Sequence, residues 1–123
     1  MTTKTFDASG FTGTTRWFKH WTGCMTYTDG VQHLAANHGS YWLVDLVGSY
    51  YKKWKDAEFV VVVLKKQRKY WRVMGVDDIP SSKIYFSQKI EWSDFEQQTG
   101  LTEITLYLEK GEMWVLMLPA ERS

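Results

Sequence analysis

Residues 59–64 read Phe-Val-Val-Val-Val-Leu, and this run of apolar, mostly β-branched side chains decides the fold. The run is too short for a typical buried helix but matches a strand in the middle of a sheet. Because it has no polar positions, we predict a central strand that is covered on both faces. A strand of this kind needs other strands beside it, and the chain that follows supplies them.

Four later segments alternate apolar and polar side chains, as strands with one face in a core do. They lie at residues 70–76, 83–90, 103–108 and 113–118. In the loop at 77–82, Pro80 holds Ile79 in an extended conformation. A tight turn at 109–112 joins the last two strands as a hairpin, and Pro119 ends the last of them. The pattern therefore predicts an antiparallel meander of about five strands.

Before residue 59, apolar side chains recur every three to four positions, as on one face of a helix. Thr28 or Asp29 is a suitable N-cap for a first helix, and Gly39 ends it. A second helix runs from Ser40 to about Trp54. The less regular stretch at 14–21 is predicted to be a short helix or an irregular segment.

Together these elements predict an α+β domain in which two helices pack on one face of an antiparallel sheet of about five strands. Residues 1–10 are small and polar without any period, and we expect them to form a flexible N-terminal arm. Residues 11–123 then form a single α+β domain, because a chain of 123 residues has room for one core.

Composition excludes several classes of protein. A formal net charge of +1 rules out a uniformly basic nucleic-acid coat. The chain has one cysteine, so it forms no internal disulfide, which suits a reducing compartment. No apolar run approaches the ~18–20 residues of a membrane span, and the N-terminus lacks the apolar core of a signal peptide. We therefore expect a cytoplasmic protein that does not enter a membrane.

Aromatic residues make up 16% of the chain and include seven tryptophans, more than a core of this size is expected to bury completely. Some of these rings should be partly exposed, which favours a binding surface. Charge is also uneven along the chain. Residues 16–72 hold ten Lys and Arg against four Asp and Glu, whereas residues 73–123 hold four against nine.

The strongest concentration of positive charge lies at 65–72, where the first two strands should meet in a hairpin tip. Such a tip could place cations along phosphates while Trp71 stacks on a base or on a partner's side chain. Alternatively, the charges belong to a solvated turn that protects an apolar edge from aggregation. Two lysines of the second helix extend this patch if that helix ends beside the tip. The candidate binding residues are Lys65, Lys66, Arg68, Lys69, Trp71, Arg72, Lys52 and Lys53.

The sequence offers no strong catalytic or metal-binding pattern. His33 and His38 are five residues apart and should diverge on a helix surface, so they do not form a helical metal pair. Cys24, His20 and Asp29 are the residue types of a nucleophilic triad but lie within ten residues of one another without a fold-specific motif. We predict no catalytic residues, no metal and no cofactor. Asp45 should face solvent or bond to an arginine or to a tryptophan N–H.

Several short motifs resemble those of a family of small uncharacterised bacterial and phage proteins, described only as a domain of unknown function. The motifs are His20-Trp21, Tyr27-Thr28-Asp29-Gly30-Val31, Tyr41-Trp42-Leu43 with Asp45, and Leu118-Pro119-Ala120-Glu121. The resemblance implies an origin in phages, plasmids or integrated elements, where short proteins often act by binding host machinery. Proteins that inhibit defence systems, including CRISPR, come from such sources. The resemblance implies no catalytic residues.

These observations favour a binding protein over an enzyme. We expect it to engage a host protein or ribonucleoprotein complex stoichiometrically, as an inhibitor of a bacterial defence system such as CRISPR does. The alternative is a nucleic-acid-binding accessory protein that acts through the basic-aromatic hairpin at 65–72. An enzyme acting on a small molecule or nucleotide is a third hypothesis, and no group of residues points to it.

Overall fold

The computed structural model describes Phe6, residues 16–77 and residues 83–122, which form a seven-stranded mixed sheet with four helices. The predicted α+β class is confirmed, and the structure adds two strands and two helices to the prediction. The strands are β1 (Trp17–Lys19), β2 (Thr26–Thr28), β3 (Phe59–Lys66), β4 (Trp71–Val76), β5 (Ile84–Ile90), β6 (Glu103–Lys110) and β7 (Trp114–Met117). The helices are α1 (Asp29–Asn37), α2 (Tyr41–Ser49), α3 (Tyr51–Trp54) and α4 (Phe95–Thr99), and a 3₁₀ turn follows at Pro119–Glu121.

The strand order in the sheet is β1-β2-β7-β6-β3-β4-β5. All five predicted strands are present, and each is antiparallel to its neighbours among the five, but the predicted meander is wrong because β6 pairs with β3 and not with β5. The chain returns from β5 through α4, and Lys66 N–H donates to the carbonyl of Thr102 at 2.8 Å where it rejoins β3. This route gives the most apolar strand a neighbour on each edge.

Of the stretch at 14–21, which we predicted to be a short helix or an irregular segment, residues 14 and 15 lie outside the described residues and residues 17–19 form strand β1. Strand β2 follows at Thr26–Thr28. The two strands pair antiparallel, with Phe18 opposite Tyr27. β2 then joins the rest of the sheet through a parallel pairing with β7, in which Thr26 lies opposite Val115. Strands of three residues are too short to show an alternating period, so sequence patterns do not reveal them.

The helices begin and end close to where the sequence places them. Gly39 follows α1 with a φ of +61°, a left-handed conformation that glycine adopts without strain. The second predicted helix is interrupted at Tyr50, which separates α2 from α3. The indole N–H of Trp54 donates to the Val47 carbonyl at 2.9 Å across that interruption, which holds the two helices together.

The core lies between these helices and one face of the sheet. Val60, Val62 and Leu64 of β3 are at most 1% exposed and join the buried side chains of α1, α2 and α3 in one cluster. The alternate residues Val61 and Val63 are partly exposed. The prediction that β3 is covered on both faces is therefore wrong, because within the described residues β3 alternates as a half-buried strand does.

Two predicted segments fall largely outside the described residues. Of the N-terminal arm at 1–10, only Phe6 is described, and it is 4% exposed with its N–H donating to the Thr99 carbonyl at 2.7 Å. The loop at 77–82 is described only at Asp77. In the parts of the chain that the structure describes, no helix has the length and apolar character needed to cross a membrane.

Candidate functional site

The basic hairpin that the sequence predicted is present between β3 and β4. The N–H of Gln67 donates to the carbonyl of Tyr70 at 2.7 Å and closes a tight turn. Arg68 and Lys69 occupy the apex of that turn, and both are exposed. The hairpin therefore presents two cations at its tip.

The ring of Trp71 is not exposed on that surface. Its side chain is 4% exposed and packs edge-on against the ring of Phe95, with 5.6 Å between the ring centroids. The prediction that Trp71 stacks on a base or a partner is therefore wrong. Trp71 alternates with Val73 and Gly75 along β4, and all three face the core. The same alternation in the sequence indicates a ring that faces the core.

A different tryptophan is exposed at this end of the molecule. Trp92 follows β5 and is 78% exposed. Together with the hairpin it borders a concave pocket of about 240 Å³, which we call the hairpin pocket. Its walls are residues 66–71 on one side and residues 91–93, Glu96 and Gln97 on the other. Sequence reasoning missed Trp92 because it lies between two elements and belongs to no periodic pattern.

Carboxylates are interleaved with the cations around the hairpin pocket. The ammonium of Lys66 lies 2.5 Å from Glu96 Oε1, and that of Lys65 lies 3.8 Å from Glu103 Oε1. The basic and acidic halves of the chain are therefore mixed in space at this end of the sheet. Within the described residues, Arg68 and Lys69 have no carboxylate within ion-pair distance, so they supply the uncompensated charge.

Arg72 points to the other face of the sheet from Trp71, because successive residues of a strand alternate. Its guanidinium donates to the Ser87 hydroxyl at 2.8 Å and lies 5.6 Å from the centre of the Tyr70 ring. Lys89 lies 4.8 Å from the same ring. Arg72 is thus next to the hairpin pocket in sequence but does not line it.

Lys52 and Lys53 do not extend the basic patch. The start of α2 is beside the hairpin, since Trp42 packs against Phe95. The helices then run toward the other end of the sheet, where Trp54 packs against Trp114 with 4.9 Å between ring centroids. The predicted extension depended on the helix ending beside the tip, and it ends at the opposite end of the sheet.

A second group of polar side chains surrounds the buried ring of His20, which is 3% exposed. His20 Nε2 lies 2.8 Å from Asp45 Oδ1, and Nδ1 lies 2.6 Å from the hydroxyl of Thr22. The indole N–H of Trp21 donates to the same Asp45 oxygen at 3.1 Å. We call these four residues the His20 cluster. The expectation that Asp45 bonds to a tryptophan N–H is confirmed.

The residue types that suggested a triad do not come together as such. Asp29 begins α1 and borders a different cavity with His33, whereas the carboxylate that meets His20 is that of Asp45. Thr22 approaches His20 through its backbone N–H at 3.3 Å as well as its hydroxyl, and its Oγ1 lies 3.0 Å from the sulfur of Cys24. These contacts close the turn between β1 and β2.

His33 and His38 were expected to diverge, and the structure brings their rings to 5.2 Å. The reason is that α1 ends at Asn37, so His38 leaves the helical path and packs with His33 around Phe6. In the described residues no three His, Cys, Asp or Glu side chains gather in a group that could hold a metal ion.

Comparison with known proteins places the chain in a family. No curated protein and no solved structure matches this sequence. A family model of unknown function, DUF6876, matches residues 3–122, which is almost the whole chain. The resemblance to an uncharacterised family is thereby confirmed: this chain is a member of DUF6876.

Proposed function

We propose that this protein acts by binding another protein stoichiometrically through the hairpin pocket. The observation that supports this most is the position of Trp92, which is 78% exposed at the edge of a concavity with Trp71 buried behind it. Exposed tryptophan and arginine beside a pocket are the residue types that dominate the energy of protein interfaces. A partner's side chain that enters the pocket would cover the Trp92 ring.

The charges around the hairpin pocket indicate which kind of partner surface would be complementary to it. Arg68 and Lys69 are exposed cations, and Lys66 is already paired with Glu96. A partner with an apolar side chain at the centre and one or two carboxylates beside it would match this pattern. Charge complementarity of this kind speeds association and fixes orientation.

Nucleic-acid binding through the hairpin is the alternative, and two features make it less well supported. The ring expected to stack on a base, Trp71, is buried. Glu96 and Glu103 lie against the lysines that would contact phosphates, and their negative charge opposes a phosphate backbone. Trp92 is exposed and free to stack, so the experiment below separates the two hypotheses.

The finer form of the proposal is that the partner is a host protein or ribonucleoprotein complex and that binding inhibits a bacterial defence system such as CRISPR. Its support is the resemblance to small proteins of phages and mobile elements, together with an interaction surface that needs no chemical reaction. We propose no catalytic activity.

The proposal is tested by affinity capture from bacterial lysate with and without nuclease. The tagged wild-type protein is compared with Trp92→Ala, with the double variant Arg68→Glu/Lys69→Glu, and with Trp17→Ala. Trp17 is 58% exposed on β1 and does not line the pocket, so it is the matched control. We expect a near-stoichiometric protein band that resists nuclease, survives Trp17→Ala and is lost in both pocket variants.

Two results contradict the proposal in different ways. A band that persists in Trp92→Ala and in Arg68→Glu/Lys69→Glu means that a different surface binds. If nucleic acid co-purifies and its removal by nuclease releases all protein bands, the result favours nucleic-acid binding. In that case binding of a labelled single-stranded oligonucleotide should weaken steeply with salt and disappear when Lys65, Lys66, Arg68 and Lys69 are all changed to Glu.

A further inference from the structure

Trp21 is the most exposed large apolar side chain among the described residues, at 81%. An exposed side chain normally samples several rotamers, but this one is held by the bond from its indole N–H to Asp45 Oδ1 at 3.1 Å. A ring that is fixed before binding loses less conformational entropy when a ligand covers it. The structure therefore presents an ordered aromatic surface to solvent.

Asp45 has one oxygen engaged and one available. Oδ1 takes the bonds from both His20 and Trp21, whereas Oδ2 accepts no hydrogen bond from the described residues. The carboxylate side chain is 50% exposed. No Lys or Arg in the described parts of the chain lies within ion-pair distance of it.

The ring of His20 contacts only one oxygen of that carboxylate. Its Nε2 lies 2.8 Å from Asp45 Oδ1. On its other side, Nδ1 lies 2.6 Å from the hydroxyl and 3.3 Å from the backbone N–H of Thr22. These contacts hold the ring in place and leave Oδ2 of Asp45 available.

Tyrosine side chains border the same spot. Tyr41, which precedes Asp45 by one helical turn on α2, is 44% exposed. Burial, and after it the proximity of Tyr41 and Asp45, raises the pKa of Tyr27 above its usual value. The ring of Trp21 has its centroid 5.6 Å from that of His20 and is 81% exposed, so most of the indole beside Asp45 is open to solvent.

We propose that Trp21 and Asp45 form a binding site for the guanidinium group of an arginine side chain on a partner protein. A guanidinium is planar and positively charged, so it can lie on the face of the indole while an N–H donates to Asp45 Oδ2. Charge-assisted bonds of this kind are among the stronger hydrogen bonds in proteins. The site is separate from the hairpin pocket and takes a ligand of opposite charge.

The probe is the guanidinium ion itself, added as its chloride at concentrations below those that unfold the protein. Indole ¹H–¹⁵N resonances are recorded during the titration, and the Trp21 signal is assigned from Trp21→Phe. Urea has nearly the same shape without the charge, so urea with an equal concentration of sodium chloride is the matched control. We expect the Trp21 resonance to shift saturably with guanidinium and not with urea.

The variant that tests the charge is Asp45→Asn, whose Oδ1 can still accept from His20 and Trp21. We expect guanidinium affinity at Trp21 to fall about fivefold or more. The exposed indoles of Trp92 and Trp17 report general solvent effects in the same spectra. If guanidinium and urea move the Trp21 resonance equally in the wild-type protein, the site does not exist, and that comparison requires no variant to fold. An unchanged affinity in a folded Asp45→Asn protein also overturns the proposal.

Discussion

Glu121 caps α1, since its Oε2 accepts the backbone N–H of Gly30, 91 residues earlier in the chain, at 3.1 Å. Its other oxygen accepts from the hydroxyl of Thr28 and from the N–H of Leu118. The carboxylate is 4% exposed. A negative group at this place satisfies otherwise unpaired N–H donors of α1 and complements the helix dipole.

Glu121→Gln should therefore lower the free energy of unfolding by about 1–3 kcal/mol, because the amide places an NH₂ against a buried donor. Urea denaturation with an unchanged m-value is the measurement. Glu112→Gln, at an exposed position in the turn between β6 and β7, is the matched control and should change little. Equal stability of the two variants would show that the cap contributes nothing.

Gly75 of β4 lies directly against the aromatic ring of Phe86. A Cβ there would overlap the ring of Phe86, which cannot easily move because it is stacked on Tyr50 with 4.6 Å between centroids. Gly75→Ala should destabilise the protein by about 1–3 kcal/mol through overpacking. Thermal unfolding checks this, with Gly111→Ala as a control, since a Cβ there makes only ordinary contact at 3.6 Å.

If steric overlap is the cause, adding Phe86→Leu to Gly75→Ala should recover part of the loss, so that the two changes are not additive. Strict additivity in this double-mutant cycle would mean that the glycine serves the backbone of β4 and not the packing of Phe86.

Replacing each of the two tryptophans at the hairpin by alanine should have very different effects on the free energy of unfolding. Trp71→Ala removes a buried ring and should lower the free energy of unfolding by about 3–5 kcal/mol. Trp92→Ala removes an exposed ring and should change it by less than about 0.5 kcal/mol. Urea denaturation of both variants is the test. A large loss for Trp92→Ala would mean that this ring is structural, and its effect on binding would then say nothing about the pocket.

Tyr27 provides a prediction about pH. Its pKa in the folded protein is raised, first by burial and then by Tyr41 and Asp45, so the folded state holds the phenolic proton more tightly than the unfolded state does. This contribution to stability is fully present below the ordinary tyrosine pKa of about 10 and is lost as the pH rises through the folded-state value. Tyr27→Phe should therefore lose less stability than the wild type above pH ~10.

The measurement is urea denaturation of the two proteins across that pH range, combined with ultraviolet titration of tyrosinate. Asp45→Asn should bring the pKa of Tyr27 closer to its ordinary value, because a neighbouring negative charge has been removed. The difference between the two tyrosinate titrations gives the titration of Tyr27. If that group titrates at the ordinary tyrosine pKa, the predicted shift is wrong.

The elements that could be predicted are those long enough to show a period. β3, β5 and β6 were found by their apolar or alternating side chains, and α1 and α2 by spacing and by the Gly39 stop. β1, β2 and α4 were missed because three to five residues complete neither a useful strand period nor two helical turns. The place of β6 beside β3 was missed because strand order depends on which edges remain to be covered, and alternation carries no information about that.

The candidate site also has parts that the sequence predicts and parts that it does not. The hairpin with Arg68 and Lys69 at its apex was predicted from the sequence, because one strand ends just before these residues and the next begins just after them. The alternation of Trp71 with Val73 along β4 indicates a buried ring, whereas the basic residues around Trp71 indicate an exposed one, and the alternation is the signal that holds. The pairing of Lys66 with Glu96 and the exposure of Trp92 depend on where the chain goes after β5, which no local pattern specifies.

The parallel pairing of β2 with β7 has a consequence for how the chain folds during synthesis. The hydroxyl of Thr26 bonds to the carbonyl of Trp114, 88 residues further along. While a ribosome is still making β6, the first two strands lack β7, through which they join the sheet, and α1 lacks the carboxylate that caps it. Contacts of such long range are slow to form because a large loop must close first. The strands translated first are therefore the last to be secured, and a nascent chain stalled before residue 114 is an exposed target for chaperones and proteases.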